Sequence, residues 1–175
     1  MADAVGPRPW LNNGWPSMSR APELTGPGFA SRLAQAVDNA VTVLGVDSVG
    51  LMLLDEHDAL RAVGYTDGGS SVLEAAQARI GQGPGIDTVR EGATVAVPDL
   101  ATTPAYAELW ASVSKTPIRA VLSCPVKAGG SVVGNLNAAR YRPHEWAAEE
   151  LQEIEAYSRV IGLTLKLAAE ATSVA

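Results

Sequence analysis

Residues 118–138 read IRAVLSCPVKAGGSVVGNLNA. Two Val-rich apolar runs flank Gly129-Gly130, the pattern of two strands joined by a tight turn, and it predicts strands from Ile118 to Val126 and from Val132 to Arg140. Alternation along the first strand sends Val121, Ser123 and Pro125 to one face and Ala120, Leu122, Cys124 and Val126 to the other. The second group reads as core. On the second strand Asn135 and Asn137 share a face, and each amide buried without a partner would cost about 1–3 kcal/mol. Backbone groups of covering loops, water or a ligand must meet them.

Upstream, residues 81–85 form a glycine-rich knot, Gly81-Gln82-Gly83-Pro84-Gly85. Pro84 suits the first turn of a short helix from Gly85 to Arg90 that Gly92 ends. A brief strand, Ala93 to Val97, stops at Pro98-Asp99, and a helix from Ala105 to about Val113 carries Leu109 and Trp110 on its apolar side. Further back, Val72 to Ile80 reads as a short helix after the chain-breaking Asp67-Gly68-Gly69-Ser70. Asp47 to Leu54 and Leu60 to about Tyr65 read as a hairpin around the polar turn Asp55-Glu56-His57-Asp58. Before it, Phe29, Leu33, Ala36, Val37, Ala40, Val41 and Leu44 recur at helical spacing, with Thr25 as a cap and Gly45 as the stop.

Downstream of Pro143, a long helix is predicted from about Glu145 to Ala169. Its acidic first turn, Glu145, Glu149 and Glu150, suits the helix dipole. The spacing of Ala147, Leu151, Ile154, Ser158, Ile161, Leu165 and Ala168 is that of a heptad seam. A neighbouring stripe of Val160, Leu163 and Leu167 leaves a second apolar side, so one stripe is expected to face the sheet and the other a partner.

The order is helix, two strands, small helices with a strand, two strands, helix. It predicts an α+β domain: one antiparallel sheet with the terminal helices on one face and short helices over the other. At 175 residues the chain fits one domain, expected over 25–170, with a tail at 171–175. Residues 1–24, with four prolines and with Trp10 and Trp15, carry no period and read as a flexible extension.

With 13 Lys and Arg against 19 Asp and Glu, the net charge is −6. A nucleic-acid surface needs a basic face, so direct binding to DNA or RNA is not expected. No run spans a membrane and no secretion signal is seen, so a cytoplasmic protein is expected. One Cys makes no internal disulfide, and two His with that Cys show no metal-ligand spacing.

The knot at Gly81, Gly83 and Gly85 misses the dinucleotide fingerprint, because Ile86 stands where a third Gly is needed, and no Gly-Lys-Ser/Thr follows. It reads as a structural turn from which Gln82 and Asp87 can face the interior. Cys124 reads as a buried, inert strand thiol. His57 falls in a turn and His144 at a helix start. No Ser/His/Asp set, carboxylate pair or metal cluster is legible, and no enzyme is expected.

The stretches GQGPGIDTVREGATVAVPDL (81–100) and IRAVLSCPVKAGGSVVGNLNA (118–138) resemble a GAF domain, of the variety common in actinobacterial sensor proteins and often fused there to an RNA-binding ANTAR module. The resemblance runs from about Thr25 to Ala169. It implies a GAF-like fold related to profilin and PAS domains, with a sheet of five or six antiparallel strands and a pocket between the sheet and its covering helices. Gln82, Ile86, Asp99, Tyr106, Trp110, Arg119, Asn135 and Asn137 then become the ligand-binding candidates. No cofactor is implied with certainty, only an unknown small molecule.

Departures from the family pattern narrow this. Gly85 stands where this variety often has Cys, the cyclic-nucleotide signature is missing in order, and one Cys cannot supply the disulfide used by members that reduce free methionine sulfoxide. The expected function is a sensing domain that reports ligand state through its terminal helices, across a homodimer or to a signalling partner. No effector region is read after Ala169, so output is expected to need another protein or a dimer rearrangement. The alternative is an interaction and dimerisation module with a filled pocket, for which Trp10 and Trp15 add anchoring surface.

Overall fold

The structure, a computed structural model, describes residues 29–173. Trp10, Trp15 and the Thr25 cap lie outside the described residues. Helix α1 (Phe29–Leu44) leads into strands β1 (Ser48–Leu54) and β2 (Leu60–Tyr65). Helices α2 (Gly68–Ile80) and α3 (Pro84–Glu91) follow, then β3 (Val95–Val97), two 3-10 turns (Leu100–Thr102 and Pro104–Tyr106) and α4 (Ala107–Val113). Strands β4 (Ala120–Ala128) and β5 (Ser131–Arg140) precede the last helix, α5 (Ala148–Ser173).

The five strands form one sheet in the order β2-β1-β5-β4-β3, and every pairing is antiparallel. The two strongest strands of the sequence, β4 and β5, lie at its middle with β1. Their register sets Ser123 opposite Asn137 and Pro125 opposite Asn135, while Gly50 and Met52 of β1 face the same two asparagines from the other side.

Two starts differ from the sequence reading by three residues or more. Helix α2 begins at Gly68 instead of Val72, because Asp67 caps it, accepting hydrogen bonds from the Ser70 amide (2.8 Å) and hydroxyl (2.7 Å). A side-chain cap outweighs the poor helix propensity of two glycines and two serines. Helix α5 begins at Ala148 instead of Glu145. From the first turn of the helix, Glu150 takes the Ala147 amide (2.8 Å) and the Arg140 guanidinium (2.7 Å), and lies 2.8 Å from His144 Nε2, which fixes the entry outside the helix.

Helices α1 and α5 cover one face. Their Val37, Ala40, Leu44, Ile154, Ile161 and Leu165 pack against Leu51, Leu53, Leu122, Cys124 and Val126, the face expected to be core. Gly162 lets α5 lie directly on β4, since a side chain there would collide with the Lys127 carbonyl. On the other face, Leu73, Leu100, Leu109, Val113 and Ile118 pack with Val121 and Ala139, and Ile86 and Val89 pack on Met52, Leu54 and Leu60. No described helix is long and apolar enough to cross a membrane.

Candidate functional site

A polar cluster lies at the middle of the covered face of the sheet. Asn135 and Asn137 project from β5 beside Ser123 of β4, and α2 brings Glu74 and Gln77 down onto them. Residues three apart share one side of a helix, so both of these reach the sheet along with Leu73 and Ala76. Gly50 makes the approach possible, because a β-carbon there would overlap the Glu74 carboxylate. Gly85 does the same for α3, where a β-carbon would stand 2.7 Å from Asn135 Nδ2.

The bonds form a continuous chain. Asn137 Nδ2 donates to both carboxylate oxygens of Glu74 at 2.9 Å. Asn135 Nδ2 donates to Asn137 Oδ1 (2.9 Å) and Ser123 Oγ (3.2 Å). Gln77 Nε2 donates to Glu74 Oε2 at 3.2 Å, and Gln77 Oε1 accepts the Gly85 amide at 2.7 Å, tying α2 to α3. Thr88 Oγ1 donates to the Ser123 carbonyl at 3.1 Å, a second tie between α3 and the sheet. Asn135 Oδ1 is buried and has no partner among the described residues.

Glu74 has no exposed surface, and burial pushes its carboxyl up to about 7, against the opposing pull of the hydrogen bonds from Asn137 and Gln77. Asp87 and Asp99, elsewhere in the cover, each meet an arginine. Arg119 grips Asp99 with Nε (2.9 Å) and Nη2 (2.6 Å), which holds that carboxyl below its ordinary value, and lies 5.6 Å from the centre of the Trp110 ring.

The eight residues expected to bind a ligand are therefore divided among several places. Asn135 and Asn137 sit in the buried chain. Asp99, Trp110 and Arg119 form a separate group, and Asp99 also caps the 3-10 turn through the Ala101 amide (3.0 Å). Tyr106 donates to Asp87 Oδ2 (2.7 Å), and burial followed by that carboxylate raises its phenol. Ile86 lines a cleft of about 440 Å³ with Leu54, Leu60, Val89, Arg61 and Arg90. Gln82 is exposed beside the knot.

Glu74 and Gln77 were not legible as site residues, because a Glu and a Gln in a short helix read as its solvent side. The signal was indirect: two asparagines on a buried strand face require polar partners. Cys124 is buried, which raises its thiol, and its Sγ is 3.6 Å from Thr94 Oγ1 at the floor of a second cleft of about 410 Å³. The heptad seam of α5 points inward through Ile154, Ser158, Ile161 and Leu165, while Val160, Leu163 and Leu167 are 62%, 57% and 55% exposed.

The sequence model of the GAF domain family matches residues 29–165. Among curated proteins none matches the sequence. Among solved structures, the domain of a two-component sensor histidine kinase protein from Sinorhizobium meliloti 1021 is similar, with a TM-score of 0.65 at 20% identity, covering 79% of this chain and 91% of that one. The photoproduct state of GAF3 from Slr1393 of Synechocystis sp. PCC6803 has a TM-score of 0.66 at 16% identity, covering 81% and 95%. Free methionine-R-sulfoxide reductase from Neisseria meningitidis, in complex with its substrate, has a TM-score of 0.60 at 16% identity, covering 87% and 84%. A type II free methionine-R-sulfoxide reductase from Thermoplasma acidophilum is also similar, at 15% identity. These two neighbours correct the expectation that no enzyme is involved. The fold carries catalysis in both, and the lack of a legible catalytic set in this sequence gives no ground for excluding it.

Proposed function

The chain belongs to the GAF domain family, and from that premise we propose that it is a signal-sensing domain that takes a small ligand between the sheet and the cover formed by α2 to α4. The solved neighbours include sensor and photoreceptor domains, which supports a sensing role in general terms. The observation that carries the reading is the hydrogen-bonded chain of Glu74, Gln77, Asn135 and Asn137. Buried polar side chains add little net stability, yet here they occupy the centre of the covered face and include an acceptor, Asn135 Oδ1, with no partner among the described residues. Such a cluster suits a place where occupancy changes.

Transmission would follow from the sheet. The covered face and the α1/α5 face are opposite sides of the same strands, so a change in how α2 seats on β1 and α3 on β4 and β5 would shift the strands under α5. A ligand favouring one seating biases the population of the terminal helices. Those helices would pass the state to a signalling partner or across a homodimer, in the cytoplasm and without nucleic acid or membrane. The variety resembling actinobacterial GAF domains joined to ANTAR modules rests on residues 81–100 and 118–138.

Native mass spectrometry of the chain purified without denaturation tests this. A retained small-molecule mass, lost in the double variant Asn135→Leu with Asn137→Leu, is expected. An apo spectrum, with no shift in thermal unfolding from a panel of small metabolites, would overturn it. A second reading, an interaction module with a filled interior, is favoured by one fact: Glu74 and Gln77 themselves fill the space over the sheet, rather than Trp110.

A further inference from the structure

Glu74 is an acid with no solvent and, among the described residues, no paired cation. On its own helix, Arg79 reaches away to Ser112 (3.0 Å). Strand β1 presents only Gly50 to it, β5 presents Asn137, and β4 lies one step beyond with Ser123. On α3, Asp87 and Arg90 are engaged with each other at 2.6 Å, and Asp87 also with Tyr106. Among the described residues the carboxyl is thus held by neutral amides alone, whereas Asp55, Asp99 and Glu150 each face an arginine.

The amides have a direction. As arranged, both asparagine amides donate toward the carboxyl, Asn135 to Asn137 and Asn137 to Glu74, and Asn135 donates also to Ser123 Oγ. This is the order a carboxylate requires, since an ionised acid only accepts. It leaves Asn135 Oδ1 without a donor. A protonated Glu74 carries an O–H that needs an acceptor, and Asn137 can supply one only by turning its amide over. Its Nδ2 would then face Asn135 Nδ2, so Asn135 must turn as well. After both turns, Asn135 Oδ1 accepts from Asn137 Nδ2 and from the Ser123 hydroxyl, and Asn135 Nδ2 takes the place that Oδ1 held without a partner among the described residues. The proton added at Glu74 changes the charge of no other group in the chain.

We propose that Glu74, Asn137 and Asn135 form a proton-operated relay, whose two amide directions belong to the neutral and the charged carboxyl and which sets how tightly α2 and α3 hold to the sheet. The coupling passes through Gln77, which donates to Glu74 with one end and accepts the Gly85 amide with the other. The neutral acid is content in a dry site. The charged one gains by meeting water, which it reaches only if the cover lifts. Its carboxyl, raised by burial to about 7, places this change in the neutral range. The relay is a property of the chain by itself; only its use as a signal rests on the sensing reading above.

The test is a pH titration of the full chain with ¹³C-labelled Glu side chains, assigned through the backbone, together with amide hydrogen exchange at Gly85. The Glu74 carboxyl carbon is expected to titrate near neutrality, with the side-chain NH₂ signals of Asn135 and Asn137 moving over the same range. Protection at Gly85 should fall about tenfold between about pH 6 and about pH 8, and this fall should vanish in Glu74→Gln. A Glu74 signal that titrates in the ordinary carboxylate range, or Gly85 protection with the same pH profile in both chains, would overturn the relay. The titration is read on the unaltered chain, so it decides the matter even if the variant folds poorly. If the relay titrates while the amides of α5 stay still, the relay stands and the transmission reading fails.

Discussion

Gly50 and Glu74 show what a single position contributes here. Gly50 has no positive φ to require glycine; its role is to leave room for the carboxylate. Gly50→Ala forces the carboxylate or α2 to move and is expected to destabilise by about 1–3 kcal/mol, measured by denaturant unfolding. Glu74 itself gives a pH signature of definite sign. Its folded carboxyl lies near 7 against an ordinary 4.5, so the folded chain holds the proton more tightly than the unfolded one. That contribution is fully present below about pH 4.5 and is lost as pH rises through about 7, a change of about 3 kcal/mol. Glu74→Gln should remove this slope and leave the variant more stable than the parent at alkaline pH. Equal slopes from calorimetry of both chains would show that the carboxyl is not the titrating group. The asparagines announced this site from the sequence, because their strand alternation was clear. Glu74 did not, since nothing local distinguishes a buried helical glutamate from an exposed one.

Among elements, α5 is secured at its start by charge and along its length by close approach. Glu150 is raised by burial but lowered further by Arg140, the Ala147 amide and His144, and its carboxyl comes to about 2. A depressed acid stabilises above its ordinary value, and here that stabilisation is lost as pH falls from about 4.5 toward 2. Glu150→Gln should cost about 1–3 kcal/mol at neutral pH and almost nothing at low pH, read from chemical denaturation across that range. Most elements were legible because hydrophobic period and glycine stops agreed: β4, β5 and the α1 pattern each repeat their own period cleanly. The start of α2 was not, since Asp67-Gly68-Gly69-Ser70 has the composition of a turn and only the Asp67 cap makes it helix. Asp67→Ala should therefore unravel the first turn at a cost of about 1 kcal/mol, visible as lost exchange protection at Ser70 and Ser71. The cluster at Asp99, Arg119 and Trp110 was legible as residues but not as a group, because its members come together only through the return of β4 beside β3.

For the whole molecule, the question is what the α1/α5 face does once its core side is spent. Of the two apolar stripes of α5, the heptad seam is the one that packs onto the molecule's own sheet. What stays outside is Val160, Leu163 and Leu167, which follow each other by three and four residues along one helical side, and Val43 of α1, 61% exposed. The proposed homodimer would bring this stripe against a copy of itself about a two-fold axis. Leu163→Glu with Leu167→Glu puts like charges on both sides of that axis. Sedimentation of the parent chain is then expected to show a concentration-dependent dimer, and that of the double variant a monomer with an unchanged circular dichroism spectrum, because neither residue touches the core. A parent chain that remains monomeric at every concentration would remove the homodimer and leave the stripe to a different protein. A dimer that survives the double variant would move the interface elsewhere, and the α5 stripe would then have no part in passing the state of the cover between copies.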